Sequence, residues 1–216
     1  MAFVINFSLT KSKEKIMEIF EIRNYLADLL SGYLIENDKI SEERLKALVE
    51  LLEKGKVKLT ENLIELPEEF PIVEEVNGYI KFKELDAFTK DYLLTKLKKY
   101  KKFLKTLKNF KQPKSIEDTV IIARKLFKEG LYFEVHEVLE SVWMTEYGKL
   151  REFLQALIQI AVAYYHLNNY NLRGYELLLN NAMELLKQYS GTLCTVDVEK
   201  LKEKLQNTTP DEIVCF

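Results

Sequence analysis

The sequence predicts an all-α protein: a helical bundle around a central buried helix, preceded by a mainly helical region that carries a small β-hairpin. Three observations predict that class. Hydrophobic residues make up 47% of the 216-residue chain, enough for a sizeable core. Gly (7) and Pro (4) are scarce, so few positions interrupt a helix. Apolar residues recur at helical spacing along most of the chain.

Residues 12–31 read as a helix with Ile16, Ile19, Phe20, Ile22, Leu26 and Leu30 on its apolar face and Gly32 as its stop. Ser41 is the expected N-cap of a second helix to about Lys54. Glu42 and Glu43 complement the dipole in its first turn, and Gly55 follows its end. The period then changes. Val57 and Leu59 alternate with lysines, and Asn77-Gly78 separates Ile72–Val76 from Tyr79–Lys83, which predicts a hairpin near 71–83. Residues 84–110 return to helix. Ser115, with Asp118 three residues on, opens a second region. Helices follow at about 116–129, 131–146, 150–168 and 171–189, and Asp197 caps a last one to about Leu205. Their short connections make successive helices antiparallel neighbours. The two regions, 1–111 and 112–216, meet near Gln112-Pro113, and the role of the first is not readable from its residues.

The formal net charge is −2, which argues against a globally basic nucleic-acid binder. Charge is unevenly spread: residues 96–114 hold nine lysines and no acidic residue. Leu97, Tyr100, Phe103, Leu104, Leu107 and Phe110 form the apolar stripe of that helix, and no arginine is present for bidentate base or phosphate contacts. A solvated face that pairs with the acidic remainder is therefore favoured over a nucleic-acid-associated regulator using the Lys96–Lys114 helix. Residues 1–10 lack a basic region and a cleavage pattern, and no apolar run spans a bilayer. A cytoplasmic protein without a membrane partner is expected. Two cysteines, Cys194 and Cys215, give no metal-ligand spacing; free thiols are expected, although a bridge between them stays open. Abundant Lys and Glu with sparse Arg and Gln fit a thermophile or a low-GC genome.

The stretch LYFEVHEVLESVW holds the candidate site. At about 100° per residue, Tyr132, Phe133, Leu139, Trp143 and Tyr147 fall on one face, and His136 and Glu140 fall inside that arc. Glu134 and Ser141 point the other way, and Glu137 lies at the edge. His136 and Glu140 are i, i+4 neighbours, close enough for a direct pair or a shared ligand. The next helix is apolar almost all round, so it is the central one. Its polar stripe is Glu152, Gln155, Gln159 and His166, and an antiparallel register sets Gln159 opposite His136 and Gln155 opposite Glu140. A pocket walled by Phe133 and Trp143 is expected there.

His-Glu-x-x-His on a helix supplies two metal ligands and a general base. Here the sequence is His136-Glu137-x-x-Glu140, a half-site for one divalent zinc, manganese or iron ion, with Glu137 as candidate base. His166 lies roughly 10 Å further along its helix, at about 1.5 Å per residue, and is expected to be structural or outside the direct ligand set. The competing reading is a buried polar network in which His136, Glu140, Gln155, Gln159 and the Trp143 indole fix helix register without catalysis. On that reading the protein is a helical interaction module. The partner in either case is a small molecule or a peptide, and self-association is open.

Phe133-x-x-His136-Glu137-x-x-Glu140-x-x-Trp143, followed by FLQALIQIAVAYYHL and NLRGYELL, resembles the helical family called domain of unknown function 309, over roughly residues 115–190. The resemblance implies an all-helical bundle around a central helix. It also implies the activity under which that family has been catalogued, a metal-dependent hydrolase.

Overall fold

The computed structural model describes residues 17–107 and 110–216. The first helix, α1 (Ile19–Ser31), begins where the Glu18 backbone N–H donates to the Glu21 carboxylate, 2.8 Å. The expected start of this helix at 12–16 lies outside the described residues. Gly32 does not stop it. Its φ/ψ of −54/−44 is right-handed, and the chain runs on through a π-helical turn, Gly32–Glu36, to Asn37 at φ 58. A Cβ on Gly32 would stand 2.8 Å from Ser41 Oγ, so the glycine serves close approach here rather than termination. The next helix, α2 (Lys39–Lys54), is capped by Asp38 and not by Ser41. The Asp38 carboxylate accepts from the Ile40 and Ser41 backbone N–H groups, and the Ser41 hydroxyl donates to it as well. An aspartate spends its charge on those free N–H groups, where a serine offers only a neutral oxygen.

A three-stranded antiparallel sheet follows, ordered β1 (Val57–Lys58), β3 (Tyr79–Phe82), β2 (Val73–Val76), with the short helix α3 (Leu66–Glu69) between β1 and β2. Asn77 and Gly78 both have positive φ, 52° and 77°, as a two-residue hairpin turn requires. Helix α4 (Ala87–Lys105) carries the lysines. Leu97, Tyr100 and Phe103 are buried beneath them, and Lys101, Lys102 and Lys96 form ion pairs with Glu53, Glu129 and Glu134.

The second region is a run of antiparallel helices: α5 (Ile116–Lys128), α6 (Tyr132–Trp143), α7 (Gly148–Asn168) and α8 (Leu172–Leu186). The Ser115 side chain caps α5, accepting from the Asp118 N–H, and Asp118 answers by accepting from the Lys114 N–H. Helix α7 is central. It packs on α6 and α8 and buries nine residues, among them Phe153, Leu157, Ile160 and Tyr164. A two-stranded hairpin, β4 (Thr192–Leu193) and β5 (Val196–Asp197), precedes α9 (Val198–Asn207). The tail then returns to the bundle. Arg124 Nε donates to the Phe216 carbonyl at 2.6 Å, and the Tyr164 hydroxyl accepts from the Val214 N–H at 2.9 Å.

The buried apolar side chains before and after Gln112 form one continuous cluster, running from Ile22 to Phe216. The contact is made by α1 and α4, and α1 packs directly on α6. This overturns one reading of α6. Glu134, placed on its outward face by the periodicity, is 1% exposed. Its Oε1 receives Lys96 Nζ at 2.5 Å and the Tyr100 hydroxyl at 2.7 Å. Helix α6 is covered on two sides, so its back is not a wet face. Among the described residues, no helix is long and apolar enough to cross a membrane.

Candidate metal centre

Gly130, at φ 68, turns the chain between α5 and α6 and directs α6 back along the bundle. On α6 the buried positions are Tyr132, Glu134, Val135, Val138 and Leu139. His136, Glu137 and Glu140 therefore sit at the border of the packed face and not at its centre. Their side chains are 26%, 25% and 36% exposed, half-buried and open on one side. Tyr147, expected on the packed face, is 80% exposed beyond the helix end.

The His136 Nδ1–H donates to Glu137 Oε1 at 3.0 Å, and His136 Nε2 lies 3.9 Å from Glu140 Oε2. One ligand atom from each of the three residues falls within 4.8 Å of the other two. Donors held about 2.1 Å from a small divalent ion stand about 3.0–3.4 Å apart, so these spacings close onto an ion with small rotamer changes. The hydrogen bond that His136 donates to Glu137, aided by the charges of Glu137 and Glu140, raises the His136 pKa above 6.5; burial and Arg23 oppose it. Asp28, on α1, has its carboxyl pKa raised by burial and by the Glu137 charge. The helix that carries it packs on α6, so a further acid lies within electrostatic reach of Glu137.

Phe133 stacks on the His136 ring, centroids 5.9 Å apart, and carries the Arg23 guanidinium 3.9 Å from its own centroid. Arg23 also donates to the Tyr165 hydroxyl, 2.6 Å. The Trp143 ring is covered by Arg151 at 3.8 Å. Gln155 and Gln159 of α7 are half-buried. Gln159 Oε1 and Trp143 Nε1 are buried without a hydrogen-bond partner, which removes the links that a closed polar network would make through them. His166 is elsewhere. It bonds Asn171 at 2.9 Å in the turn after α7 and packs against Gly174 in the first turn of α8. Sequence reasoning missed Arg23 and Asp28, because nothing local to α1 says which helix it will meet. It did mark the Arg23 helix as amphipathic, the one signal available.

The comparisons with known proteins bear on this part of the chain. The sequence model of the family described as Domain of unknown function (DUF309) matches residues 121–178, which run from α5 through α6 and α7 into α8. The "Uncharacterized protein YpuF" of Bacillus subtilis (strain 168) is 39% identical over 57 residues, covering 26% of this chain and 33% of that protein. The match thus spans about a third of the relative's length. No solved structure matches the chain. The resemblance drawn from the His136 motif is shown over that narrower stretch.

Proposed function

We propose that the half-buried cluster on α6 binds one divalent zinc, manganese or iron ion and that the protein is a metal-dependent hydrolase. The observation that carries this is the convergence of one imidazole and two carboxylates within 4.8 Å of one another. The donor set is that of a hydrolytic metal site, and its exposure leaves room for water and substrate. His136 Nε2 and Glu140 would hold the ion. When bound, it would lower the pKa of a water and polarise the substrate bond. Glu137 holds His136 Nδ1–H, which fixes the ring so that Nε2 faces Glu140. To act as the candidate base for the water, Glu137 would release Nδ1–H and turn to the Nε2 side of the ring.

The test is elemental analysis of protein purified without chelator, followed by variants. One equivalent of metal is expected in the wild type and none in His136→Ala or Glu140→Ala, with the fold kept. Glu137→Gln retains metal and loses hydrolysis if Glu137 is the base. A metal-free wild type that takes up none of the three ions on dialysis refutes the reading. The Lys96–Lys114 helix supports a nucleic-acid role less well, since Lys96, Lys101 and Lys102 are engaged by carboxylates of the same chain.

A further inference from the structure

A cleft of about 310 Å³ opens where α1 and α4 meet the turn into α6 and the end of α7. It is separate from the carboxylate cluster, and Phe133 forms the partition. Its walls are aromatic: Tyr92, Phe133 and Tyr165 line it, with Phe20 and Phe88 at the mouth. Those two phenylalanines are 53% and 72% exposed. Phe20 is the odd one, because its position on the apolar stripe of α1 predicts burial. An engineered cavity of about 150 Å³ holds benzene, so this volume suits a fused ring or a ring with a substituent.

Four charged groups line the cleft: Arg23, Lys96, Lys99 and Asp91. Lys96 is matched by Glu134 behind it, at 2.5 Å. Asp91 offsets one more cation. One positive charge is left over. Arg23 is spread over the Phe133 ring and bonded to Tyr165, whereas Lys99 is half-buried and donates from Nζ to the neutral Gly130 carbonyl, 3.1 Å away. Burial, and then Lys96, depress the Lys99 pKa, and the Glu134 charge only partly offsets them.

We propose that this cleft binds a small molecule with an aromatic body and a single negative charge, the charge meeting Lys99 and the ring lying among Phe20, Phe88 and Phe133. The aromatic walls supply most of the contact area, and the one unbalanced cation selects the anion. The site is built jointly by the amino-terminal region and the bundle, which gives the first region a task. It stands whether or not metal binds at His136.

The full chain is titrated calorimetrically with 2-naphthoate, with 2-naphthol as the uncharged counterpart and with inorganic phosphate as the bare anion. Saturable naphthoate binding is expected, at least tenfold tighter than naphthol, and none for phosphate. Lys99→Met weakens naphthoate at least fivefold. Asp91→Asn, an exposed change on the surface of α4, tightens it two- to fivefold. That opposite sign keeps the test decisive if Lys99→Met fails to fold. Glu140→Ala, which keeps the His136 ring behind Phe133, leaves the affinity within twofold, which separates this site from the metal reading. Equal affinity for naphthol, saturable phosphate binding, no naphthoate binding, or indifference to Asp91→Asn overturns the proposal.

Discussion

Lys96 and Glu134 join the two regions through an ion pair of 2.5 Å whose carboxylate is sealed from solvent. Both Lys96 and the Tyr100 hydroxyl approach Glu134 Oε1, and Oε2 is buried with no partner. A buried pair of this kind is a weak net stabiliser, because desolvation of both charges offsets their attraction. Breaking it is another matter. Lys96→Met leaves Glu134 charged and buried with only Tyr100, and is expected to cost about 3–5 kcal/mol. The double variant Lys96→Met, Glu134→Leu recovers most of that loss. Urea denaturation of the wild type, both single variants and the double variant measures it, and a Lys96→Met loss below about 1 kcal/mol refutes it.

That relationship marks the limit of reading one helix at a time. Several signals whose partners lie within a few residues were readable in advance: Ser115 with Asp118, Asn77-Gly78, Gly55 at φ 67, and Asp197 accepting from the Lys200 N–H; Gly32 and Ser41 were not. The i, i+4 spacing of His136 and Glu140 likewise sets their side chains 3.9 Å apart. Periodicity, however, assigns one dry face and one wet face. It failed on α6, which has α1 on one side and α7 on the other, so Glu134 reads as exposed and His136 as central, whereas Glu134 is sealed and His136 sits half-buried at the border. It failed for Phe20 for the opposite reason, since a cleft and not a helix faces it. The β4–β5 hairpin turns on Cys194 and Thr195 at φ 46° and 67°, positions where no glycine or asparagine announces a turn.

Metal affinity at His136 is expected to depend on pH, and in the opposite sense to apo stability. A ligand imidazole must be neutral, and Glu137 keeps His136 protonated above its ordinary 6.5. Affinity therefore climbs as pH rises through that raised pKa. The apo protein behaves inversely. A pKa raised by folding adds stability that is fully present below about 6.5 and lost as pH rises through the folded value. Zinc titrations at pH 6 and pH 8 alongside apo melts at the same pH values should show affinity rising and the His136-dependent part of stability falling. The pH dependence of apo stability should flatten in His136→Ala, which takes up no zinc at either pH.

Cys194 supplies an alkaline counterpart. Burial pushes its thiol up from 9.0 to about 11, and both cysteines are free. The unfolded thiol ionises first, so the folded state retains the proton that the unfolded state loses. The stability this contributes is complete below pH 9 and disappears as pH rises towards 11. Cys215 is raised as well, again chiefly by burial. Equilibrium unfolding at pH 8.5, 9.25 and 10 under reducing conditions should show a smaller loss with pH in Cys194→Ala than in the wild type, whatever the packing cost of the substitution at pH 7. An unchanged slope shows that the thiol ionises in the fold as readily as outside it.

The division at Gln112 is best tested through Glu134. We propose that residues 112–216 fold without the amino-terminal region, because α5 packs on α6, α6 on α7 and α7 on α8. The fragment loses the cover that α1 and α4 give to α6, so its thermal midpoint should fall below that of the full chain while its transition stays cooperative. Without α4 there is no Lys96 and no Tyr100, and water reaches the Glu134 carboxylate. Glu134→Gln should then destabilise the full chain, where the lysine is left buried and unpaired, and be nearly silent in the fragment, within about 0.5 kcal/mol as for an ordinary surface change. Circular dichroism melts of the four proteins decide it. A fragment that melts without cooperativity moves the boundary, and a fragment as sensitive to Glu134→Gln as the full chain shows that the carboxylate has a partner within the bundle itself.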